Sequence, residues 1–218
     1  MERDTHAAAE IALDQVDELA RQAIGWIAPI RFSIAQSDAE REAAYRLRYQ
    51  AVIDKSWSTP EDLPDGLERD NYDDRAIHIL AWDGDVPAAT ARLVLPAAGL
   101  ILPTEEAFDL RIQPGGQVVD AGRFVVARPY SSSEHRVLAA LVARGWLEVR
   151  THGFSRVCAA FASLATLRIY GRMGLRSTIL GPPRHYWGTD RYPILFDVVA
   201  SSPDLIEHWL GDGKRDQP

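Results

Sequence analysis

Apolar side chains recur at every third or fourth position in several stretches of the chain, which is the pattern of a helix with one buried face. Residues 7–28 show it clearly, since Val16 and Ala23 share one face and charged residues fill the other. Ser37 followed by Glu40 has the spacing of a capping box and starts a second such stretch. The pattern predicts four helices, at 7–28, from Ser37 to about Ile53, from Ser131 past Val149, and from Ser163 to Gly174.

Strands are predicted where apolar residues alternate with polar ones or form short continuous runs. Asp83-Gly84-Asp85 separates two such runs and is typical of a hairpin turn. The run from Val118 to Ala127 is the most strand-like in the chain. The predicted strands are Ile30–Ala35, Ile77–Trp82, Val86–Leu95, Val118–Ala127, Arg156–Ala162, Ser177–Leu180 and Ile194–Ala200.

The order of these elements indicates the fold class. The hairpin implies antiparallel pairing, whereas the strand–helix–strand segments of the second half imply right-handed crossovers and parallel pairing. We therefore predict an α/β fold with a single mixed sheet and helices on both faces. Segments 54–76 and 96–116 are expected to be irregular, because Asp, Pro and Gly interrupt them. The predicted domain covers 30–210, after a helical extension at 1–29 and before a flexible tail at 211–218.

Length and composition limit the possible classes of protein. The chain has 218 residues, 46% of them apolar, which suits one domain with a substantial core. A formal net charge of −7 argues against binding to nucleic acid, and no apolar run is long enough for a membrane span. Cys158 is the only cysteine, the first residues are acidic, and the histidines lack zinc-ligand spacing. We expect a cytoplasmic protein without a disulfide, a metal or stable membrane insertion.

Segment 118–133 carries the strongest chemical signal. Asp120 and Arg123 lie three positions apart in a predicted strand, and a bulge at Gly122 would turn both side chains to one face. Such a bulge would also spread the sheet locally and leave room for a thioester. The strand then enters a helix through the small residues Ser131–Ser133, where free amides suit a phosphate. The alternatives are a surface ion pair and a serine cap of the helix.

The polar loop 54–76 is rich in ionisable residues. Long loops in compact domains often carry function, and arginine binds carboxylates bidentately. We therefore expect this loop and two neighbouring arginines to bind an acceptor that has both an amine and a carboxylate. Alternatively, the same charges form a structural network that fixes the loop. The residues concerned are Trp57, Glu68, Asp70, Asp73, Arg48 and Arg92.

Six short motifs occur in an order that resembles a known group of enzymes. The motifs are Leu47-Arg48-Tyr49, Trp57, the acidic run Glu68–Asp73, the strand end Arg92–Pro96, Phe108, and Asp120–Phe124. Together they resemble the acyl-homoserine-lactone synthases and the related N-acyl amino acid synthases, both of the GNAT fold. The resemblance covers roughly residues 30–200 and adds Phe108 to the expected substrate-binding residues.

Four departures separate the sequence from the lactone synthases, one of which is the interval from Arg92 to Asp120, whose spacing does not match theirs. Asp120 replaces the glutamate that is usual in those enzymes, and Val52 stands where they usually have phenylalanine. The helix at 7–28 is an addition. These departures favour the N-acyl amino acid synthases.

Two further motifs resemble GNAT acyltransferases in general. Arg128-x-x-Ser131-x-Ser133 resembles their pyrophosphate loop, with serines in the glycine places. Tyr170-Gly171-Arg172-Met173-Gly174 resembles the end of their fourth helix. The resemblance implies that Tyr170 is the acid for the leaving thiolate, and core packing is the alternative.

The resemblance implies an N-acyltransferase with a splayed central strand pair. It would move an acyl group, longer than acetyl, from a phosphopantetheine thioester of a carrier protein or of coenzyme A to the amine of an amino acid or similar small acceptor. The catalytic residues would be Asp120 as base, Arg123 and Tyr170. The residues that would hold the thioester are Phe124, Val125, Val126, Arg128, Ser131, Ser132 and Ser133. An acyl tunnel would be lined by Phe108, Val125, Leu141 and Trp146.

Other functions stay open at this stage. One is an acyl-homoserine-lactone synthase, and another is an acetyl-CoA-dependent GNAT enzyme. A non-catalytic module that binds an acyl thioester and regulates a partner is the alternative of a different class. An apolar tunnel behind the sheet would distinguish an acyltransferase for longer chains from an acetyltransferase.

Overall fold

A computed structural model of the chain describes residues 2–113, 115–161, 167–168, 170–171, 174–186 and 189–212. Among the described residues we number five α-helices, which are α1 (Glu2–Gly25), α2 (Asp38–Asp54), α3 (Pro103–Phe108), α4 (Glu134–Thr151) and α5 (Val198–Asp212). The strands are β1 (Arg31–Ile34), β2 (Ile77–Asp83), β3 (Val86–Val94), β4 (Val119–Val126), β5 (Arg156–Phe161), β6 (Ser177–Ile179), β7 (Arg184–Tyr186) and β8 (Thr189–Asp197). Short 3-10 helices cover Asp73–Arg75 and Arg128–Ser133.

Local sequence signals account for several of these elements. Ser37 Oγ accepts a hydrogen bond from the Glu40 amide at 3.3 Å, and Glu40 Oε2 accepts one from the Ser37 amide at 2.9 Å. The predicted capping box is therefore present at the start of α2. Gly84 turns the β2–β3 hairpin with a φ of +60°, a backbone conformation that glycine adopts without strain.

One mixed sheet organises the domain, as predicted. Its strand order is β1-β2-β3-β4-β5-β8-β6, and β7 pairs with β8 beside this path. Neighbouring strands pair antiparallel except β4 and β5, which are parallel and connected through α4. The crossover expected in the second half of the chain therefore lies at the centre of the sheet.

The central parallel pair is joined at one end only. β4 and β5 pair at Val119–Val157 and at Asp120–Cys158. Beyond these pairs β4 continues along β3 to Val126, and β5 continues along β8 to Phe161. The two strands part after Asp120, which confirms the splayed strand pair. We call this gap the strand opening.

The helices form two layers around the sheet. α1, α4 and α5 pack together on one face, where Leu13, Val119 and Leu141 belong to one buried apolar cluster. α2 lies on the other face and buries Tyr45 against Leu80. α1 thus packs against its own domain, and the division at residues 29–30 stays a prediction. Within the described part of the chain, no helix is both long and apolar enough to cross a bilayer.

Some predicted elements differ from the structure. Segment 96–116 was expected to be irregular but contains α3, whose start follows from Pro103 at the first helical position and two acidic residues in the first turn. The predicted last strand, Ile194–Ala200, is wrong at both ends, because β8 covers Thr189–Asp197 and α5 begins at Val198 and continues to Asp212. Ser163, the predicted start of the fourth helix, lies outside the described residues. So do residues 213–218 of the predicted tail.

Candidate active site

The strand opening begins at a bulge in β4. On β3 the pairs shift between Thr90 and Arg92, which face Val125 and Gly122, so β4 carries one extra residue there. Arg123 has a φ of +56°, in the left-handed region that non-glycine residues rarely adopt. Such a residue stores about 1–3 kcal/mol of strain and occurs preferentially at functional sites. The bulge predicted at Gly122 is therefore present, with the strained residue one position later.

Three arginines and three carboxylates form a network on the α2 face of the sheet. Arg48 contacts Glu68 through Nε and donates two hydrogen bonds to Asp73, at 2.8 and 2.9 Å. Arg48 is only 1% exposed. Since a buried charge needs such partners, this network fixes the loop after α2 onto the sheet.

The other two arginines extend this ion-pair network toward the surface. Arg92 Nη1 donates to Asp70 at 2.6 Å and to Asp73 at 3.0 Å. Arg123 donates through Nε to Glu68 at 3.2 Å and through Nη2 to Asp70 at 3.0 Å. Burial alone would raise the pKa of Asp73, but hydrogen bonds and charge from Arg48, with the charge of Arg92, hold it well below its usual range.

The ion-pair network changes the interpretation of the arginines. Arg48 and Arg92 are buried and contact carboxylates of the loop, so neither guanidinium presents a free face to an acceptor carboxylate. The geometry favours the structural alternative for Arg48, Arg92 and Asp73. Arg123 and Asp70 are less buried and reach the edge of a cleft.

An open cleft of about 540 Å³ lies between the loop, α3 and the bulge. Trp57, which was expected to bind substrate, lines it, and its ring lies 4.6 Å from Lys55 Nζ and 4.7 Å from Arg191 Cζ. We call it the acceptor cleft, after the acceptor that this loop is expected to bind. Its described lining residues are Trp57, Ser58, Leu63, Glu68, Arg69, Asp70, Asn71, Tyr72, Pro103, Glu106, Ala107 and Arg123.

Sequence reasoning missed the α3 side of the acceptor cleft. Tyr72 donates a hydrogen bond through its hydroxyl to Glu106 Oε2 at 2.8 Å. Burial, together with this bond, raises the pKa of Tyr72. Glu106 therefore belongs to the site, and the signal that would have found it is the helix start at Pro103.

Asp120 lies behind the acceptor cleft, and its side chain is not among the described lining residues. It is 5% exposed, and its Oδ2 accepts a hydrogen bond from the Thr104 amide at 2.7 Å and one from Cys158 Sγ at 3.4 Å. Burial raises the pKa of the Asp120 carboxyl above its ordinary value. Asp120 thus holds the start of α3 at the point where β4 and β5 part. Burial also raises the pKa of Cys158, whose thiol packs as expected.

An apolar cavity of about 140 Å³ lies on the other face of the sheet. Ala121 and Phe124 of β4 line it at the strand opening, together with Val157 of β5. Its remaining walls come from α1, α4 and α5, with Leu93, Tyr170, Leu175 and Phe196, and every described lining residue is apolar or aromatic. We call it the acyl cavity, after the apolar tunnel expected behind the sheet.

The residues predicted for the tunnel are only partly in place. Trp146 lines the acyl cavity, whereas Phe108, Val125 and Leu141 are not among its described lining residues. Phe108 is buried at the end of α3, on the other side of the sheet. Its expected role in substrate binding has no support in this geometry.

Tyr170 also lines the acyl cavity. Its ring packs against Phe196 with centroids 5.9 Å apart, and burial raises its pKa to about 12. The hydroxyl is therefore protonated at neutral pH. The geometry accommodates both alternatives, core packing and proton donation, and the catalytic role stays a prediction.

The expected phosphate site follows β4. Residues 128–133 form a 3-10 helix that leads directly into α4, so helical geometry begins at Arg128 and not after the serines. Arg128 is exposed beside the end of β4. The side chains of Ser131, Ser132 and Ser133 lie outside the described part of the structure, and phosphate binding there stays a prediction.

Comparison with solved structures shows the fold. FeeM, an N-acyl amino acid synthase from uncultured soil microbes, gives a TM-score of 0.63 at 16% identity, over 83% of this chain and 97% of that chain. The CoA-dependent acyl-homoserine lactone synthase BjaI, with SAM and isopentyl-CoA, gives 0.59 at 23% identity, over 80% and 83%. The AHL synthase LasI gives 0.58 at 16% identity, over 78% and 90%. The chain therefore has the fold of these acyltransferases.

Sequence comparison identifies the family. No curated protein matches the chain. The family model for the N-acyl amino acid synthase FeeM matches residues 43–196, a segment from α2 to β8 that contains the strand opening. Because this match covers well over half of the chain, the protein belongs to the N-acyl amino acid synthase FeeM family and is an N-acyltransferase.

Proposed function

We propose that this N-acyltransferase moves an acyl group longer than acetyl from a pantetheine thioester to the amine of an amino acid or similar small acceptor. One observation carries the proposal: the strand opening lies between the charged acceptor cleft and the acyl cavity. Arg123 lines the cleft, and the next residue, Phe124, lines the cavity. A thioester in the opening would have its acyl tail among apolar side chains and its carbonyl near the acceptor.

The acyl cavity supports an acyl group longer than acetyl. Its volume of about 140 Å³ is close to that of an engineered apolar cavity of about 150 Å³ that binds benzene. Burying each methylene group of a bound chain there would contribute about 0.8 kcal/mol. An acetyl group would leave most of this space empty, so the cavity favours this function over an acetyl-CoA-dependent one.

The exposed edge of β4 supports binding of the pantetheine arm. From Ala121 to Val126 this strand is paired with β3 but not with β5. An extended pantetheine would add to this edge through backbone hydrogen bonds, as a peptide does in strand addition. Arg128 is exposed next to the end of β4, and we propose that Arg128 and the helical turn that follows bind the phosphates of coenzyme A or of a carrier-protein arm.

The acceptor cleft supports an amino acid as acceptor. Glu68, Asp70 and Glu106 line it and favour a cationic amine. Arg69 also lines it, and its side chain is 59% exposed in contact with Asp65. We therefore propose that the guanidinium of Arg69 binds the acceptor carboxylate, a role that the sequence had suggested for the buried Arg48 and Arg92.

In the proposed reaction the amine nitrogen attacks the thioester carbonyl carbon, a C–N bond forms and the C–S bond breaks. The ammonium acceptor first loses one proton to the base. After the attack the nitrogen loses a second proton, and the leaving thiolate gains one, so that an amide and a free thiol result. Asp120 is our first proposal for the proton acceptor, because burial raises its pKa and it stands where the strands part. Glu106 is the second, since it lines the acceptor cleft and its hydrogen-bond partner is Tyr72.

The proposal is tested with purified protein, acyl thioesters of increasing chain length on coenzyme A and on a carrier protein, and a panel of amino acids. We expect acceptor-dependent release of free thiol, with a matching acylated amino acid identified by mass spectrometry, and higher turnover with longer chains than with acetyl. Comparison of the two donor series assigns the carrier. Turnover restricted to acetyl would contradict the proposal. Thioester binding without thiol release would favour the non-catalytic alternative.

A further inference from the structure

We infer that α1 sets the length of the acyl chain that the enzyme accepts, an inference that rests on the function proposed above. α1 supplies one wall of the acyl cavity through Val16, Leu19, Ala20 and Ala23. These residues precede the segment 43–196 that the family model matches. The space available to an acyl tail therefore depends on a part of the chain outside the segment that the family model matches.

Small residues on facing helices account for the space. Ala20 and Ala23 of α1 are buried, and Ala143 and Gly145 line the cavity from α4. A Cβ atom added at Gly145 would meet Phe124 Cζ at 3.8 Å, an ordinary contact. A larger side chain at Ala20 would occupy the same volume that an acyl tail needs.

Polar contacts hold this wall at a fixed position. Trp146 Nε1, on α4, donates a hydrogen bond to Asp17 Oδ1 at 2.7 Å. Arg150 donates to Asp17 Oδ2 at 3.3 Å and to Glu10 Oε2 at 3.1 Å. Asp17 is buried beside the lining residue Val16. These contacts fix the register of α1 on α4, so α1 forms a fixed wall of the cavity.

The test compares three alanine-to-leucine variants of the full chain. Ala20→Leu narrows the cavity from α1, Ala143→Leu narrows it from α4, and Ala8→Leu makes the same change at an exposed position of α1. For each, kcat/KM is measured for donors of increasing acyl length with one acceptor, and thermal unfolding is followed to verify folding. For Ala20→Leu we expect at least about a 10-fold loss for the longest accepted donor, since one methylene changes specificity by about 10- to 200-fold. The loss in Ala20→Leu should shrink as the donor becomes shorter, and Ala8→Leu should stay within about twofold of the unchanged protein for all donors.

The outcomes separate this inference from the proposed function. A changed length preference in Ala143→Leu with an unchanged one in a folded Ala20→Leu would overturn the role of α1 while leaving the acyl cavity in place. Unchanged preferences in both cavity variants would show that the tail binds elsewhere, which overturns the inference as well. If Ala20→Leu unfolds, Leu19→Ala is tested instead, because it enlarges the cavity at the same α1 wall. This variant must prefer longer donors than the unchanged protein does, and an unchanged preference would contradict the inference.

Discussion

Ala121 and Phe124 stand three positions apart in β4, yet both side chains line the acyl cavity. In a regular strand, residues three apart point to opposite faces of the sheet. The extra residue of the bulge compensates for this difference, and its strained backbone lies at Arg123. The same shift places Arg123 on the face that carries Asp120, so one bulge aligns both sides of the strand opening.

Arg123 should be sensitive to a change that keeps its charge. Lysine at this position loses the planar group that contacts Glu68 and Asp70 together. A hydrogen bond to a charged group contributes about 1.5–3 kcal/mol, so we expect Arg123→Lys to lower kcat/KM by about 10- to 100-fold. Arg46→Lys is the matched control, because Arg46 forms an exposed pair with Glu42 on α2. Equal kinetics in the two variants would show that turnover does not need the Arg123 guanidinium and its contacts with Glu68 and Asp70.

Asp120→Asn tests the proton acceptor. The amide oxygen of asparagine still accepts the Thr104 hydrogen bond, and the variant removes a carboxylate whose ionised form burial disfavours. We therefore expect an intact fold with unchanged or higher stability at pH 7, and a loss of about 100- to 10,000-fold in kcat. In the unchanged protein, kcat/KM should rise with pH as the raised pKa of Asp120 is passed, and this acid limb should disappear in the variant.

Glu106→Gln distinguishes the second proton acceptor. Glu106 lies on the exposed side of α3, so the substitution should leave unfolding unaffected. If Asp120 is the base, Glu106→Gln keeps kcat within about 10-fold of the unchanged protein. A large loss of kcat in Glu106→Gln, with full activity in Asp120→Asn, would transfer the role to Glu106.

The ion-pair network should dominate the stability of the loop. Arg48→Met leaves Glu68 and Asp73 buried without their principal partner. Breaking a buried pair in this way costs about 3–5 kcal/mol, which should appear as a lower free energy of unfolding in urea. Arg46→Met removes an exposed pair two residues away on the same helix and should change that energy by about 0–1 kcal/mol. A similar loss in the free energy of unfolding for both variants would show that the buried network stabilises the protein no more than an exposed ion pair does.

The sequence predicted the parts of the site that depend on local chemistry. The capping box of Ser37 fixes α2, the hairpin turn fixes β2 and β3, and the spacing of Asp120 and Arg123 implied a bulge. These features need only neighbouring residues, so a single sequence contains them. The order of the short motifs along the chain also predicted the family, and the family match confirms it.

The sequence could not predict which charges would meet. Arg48, Arg92 and Arg123 come from three different elements, and the carboxylate that each contacts depends on how the loop folds over the sheet. The acyl cavity has the same origin, since α1 and α4 meet only in the tertiary structure. α5 was missed because Val198 and Val199 continue the apolar run of β8 and suggest a strand.

Two buried groups behind the loop, His78 and Asp73, should each lower the free energy of unfolding as the pH decreases, and they should do so in two separate steps. His78 is packed among Tyr45, Asp73, Arg48 and Arg92, and burial lowers its pKa. The folded state therefore binds fewer protons than the unfolded chain below the ordinary histidine pKa of about 6.5, so stability is lost as the pH drops below that value. The lowered pKa of Asp73 has the same sign, and its stabilisation is lost only below about pH 4.

His78→Gln separates the two steps. Glutamine does not titrate, so the decline that begins near pH 6.5 should disappear while the one below about pH 4 persists. Urea unfolding across this range gives the free energies. His185→Gln, at an exposed position of β7, should keep both steps. A first step that survives in His78→Gln would assign it to another group.

Asp17 should stabilise the packing of α1 far more than the exposed Asp14 does, although both side chains have the same charge. Asp17→Ala leaves the indole of Trp146 without its acceptor in the core and removes a partner of Arg150. A hydrogen bond to a charged group contributes about 1.5–3 kcal/mol, so the free energy of unfolding in urea should drop by about that amount. Asp14→Ala is the control, since Asp14 is 76% exposed and lies 3.8 Å from the same arginine. Its effect should stay within about 0.5 kcal/mol. Equal losses of stability in both variants would show that long-range charge, and not the contact with Trp146, holds α1 in place. The position of the α1 wall of the acyl cavity would then not depend on Asp17.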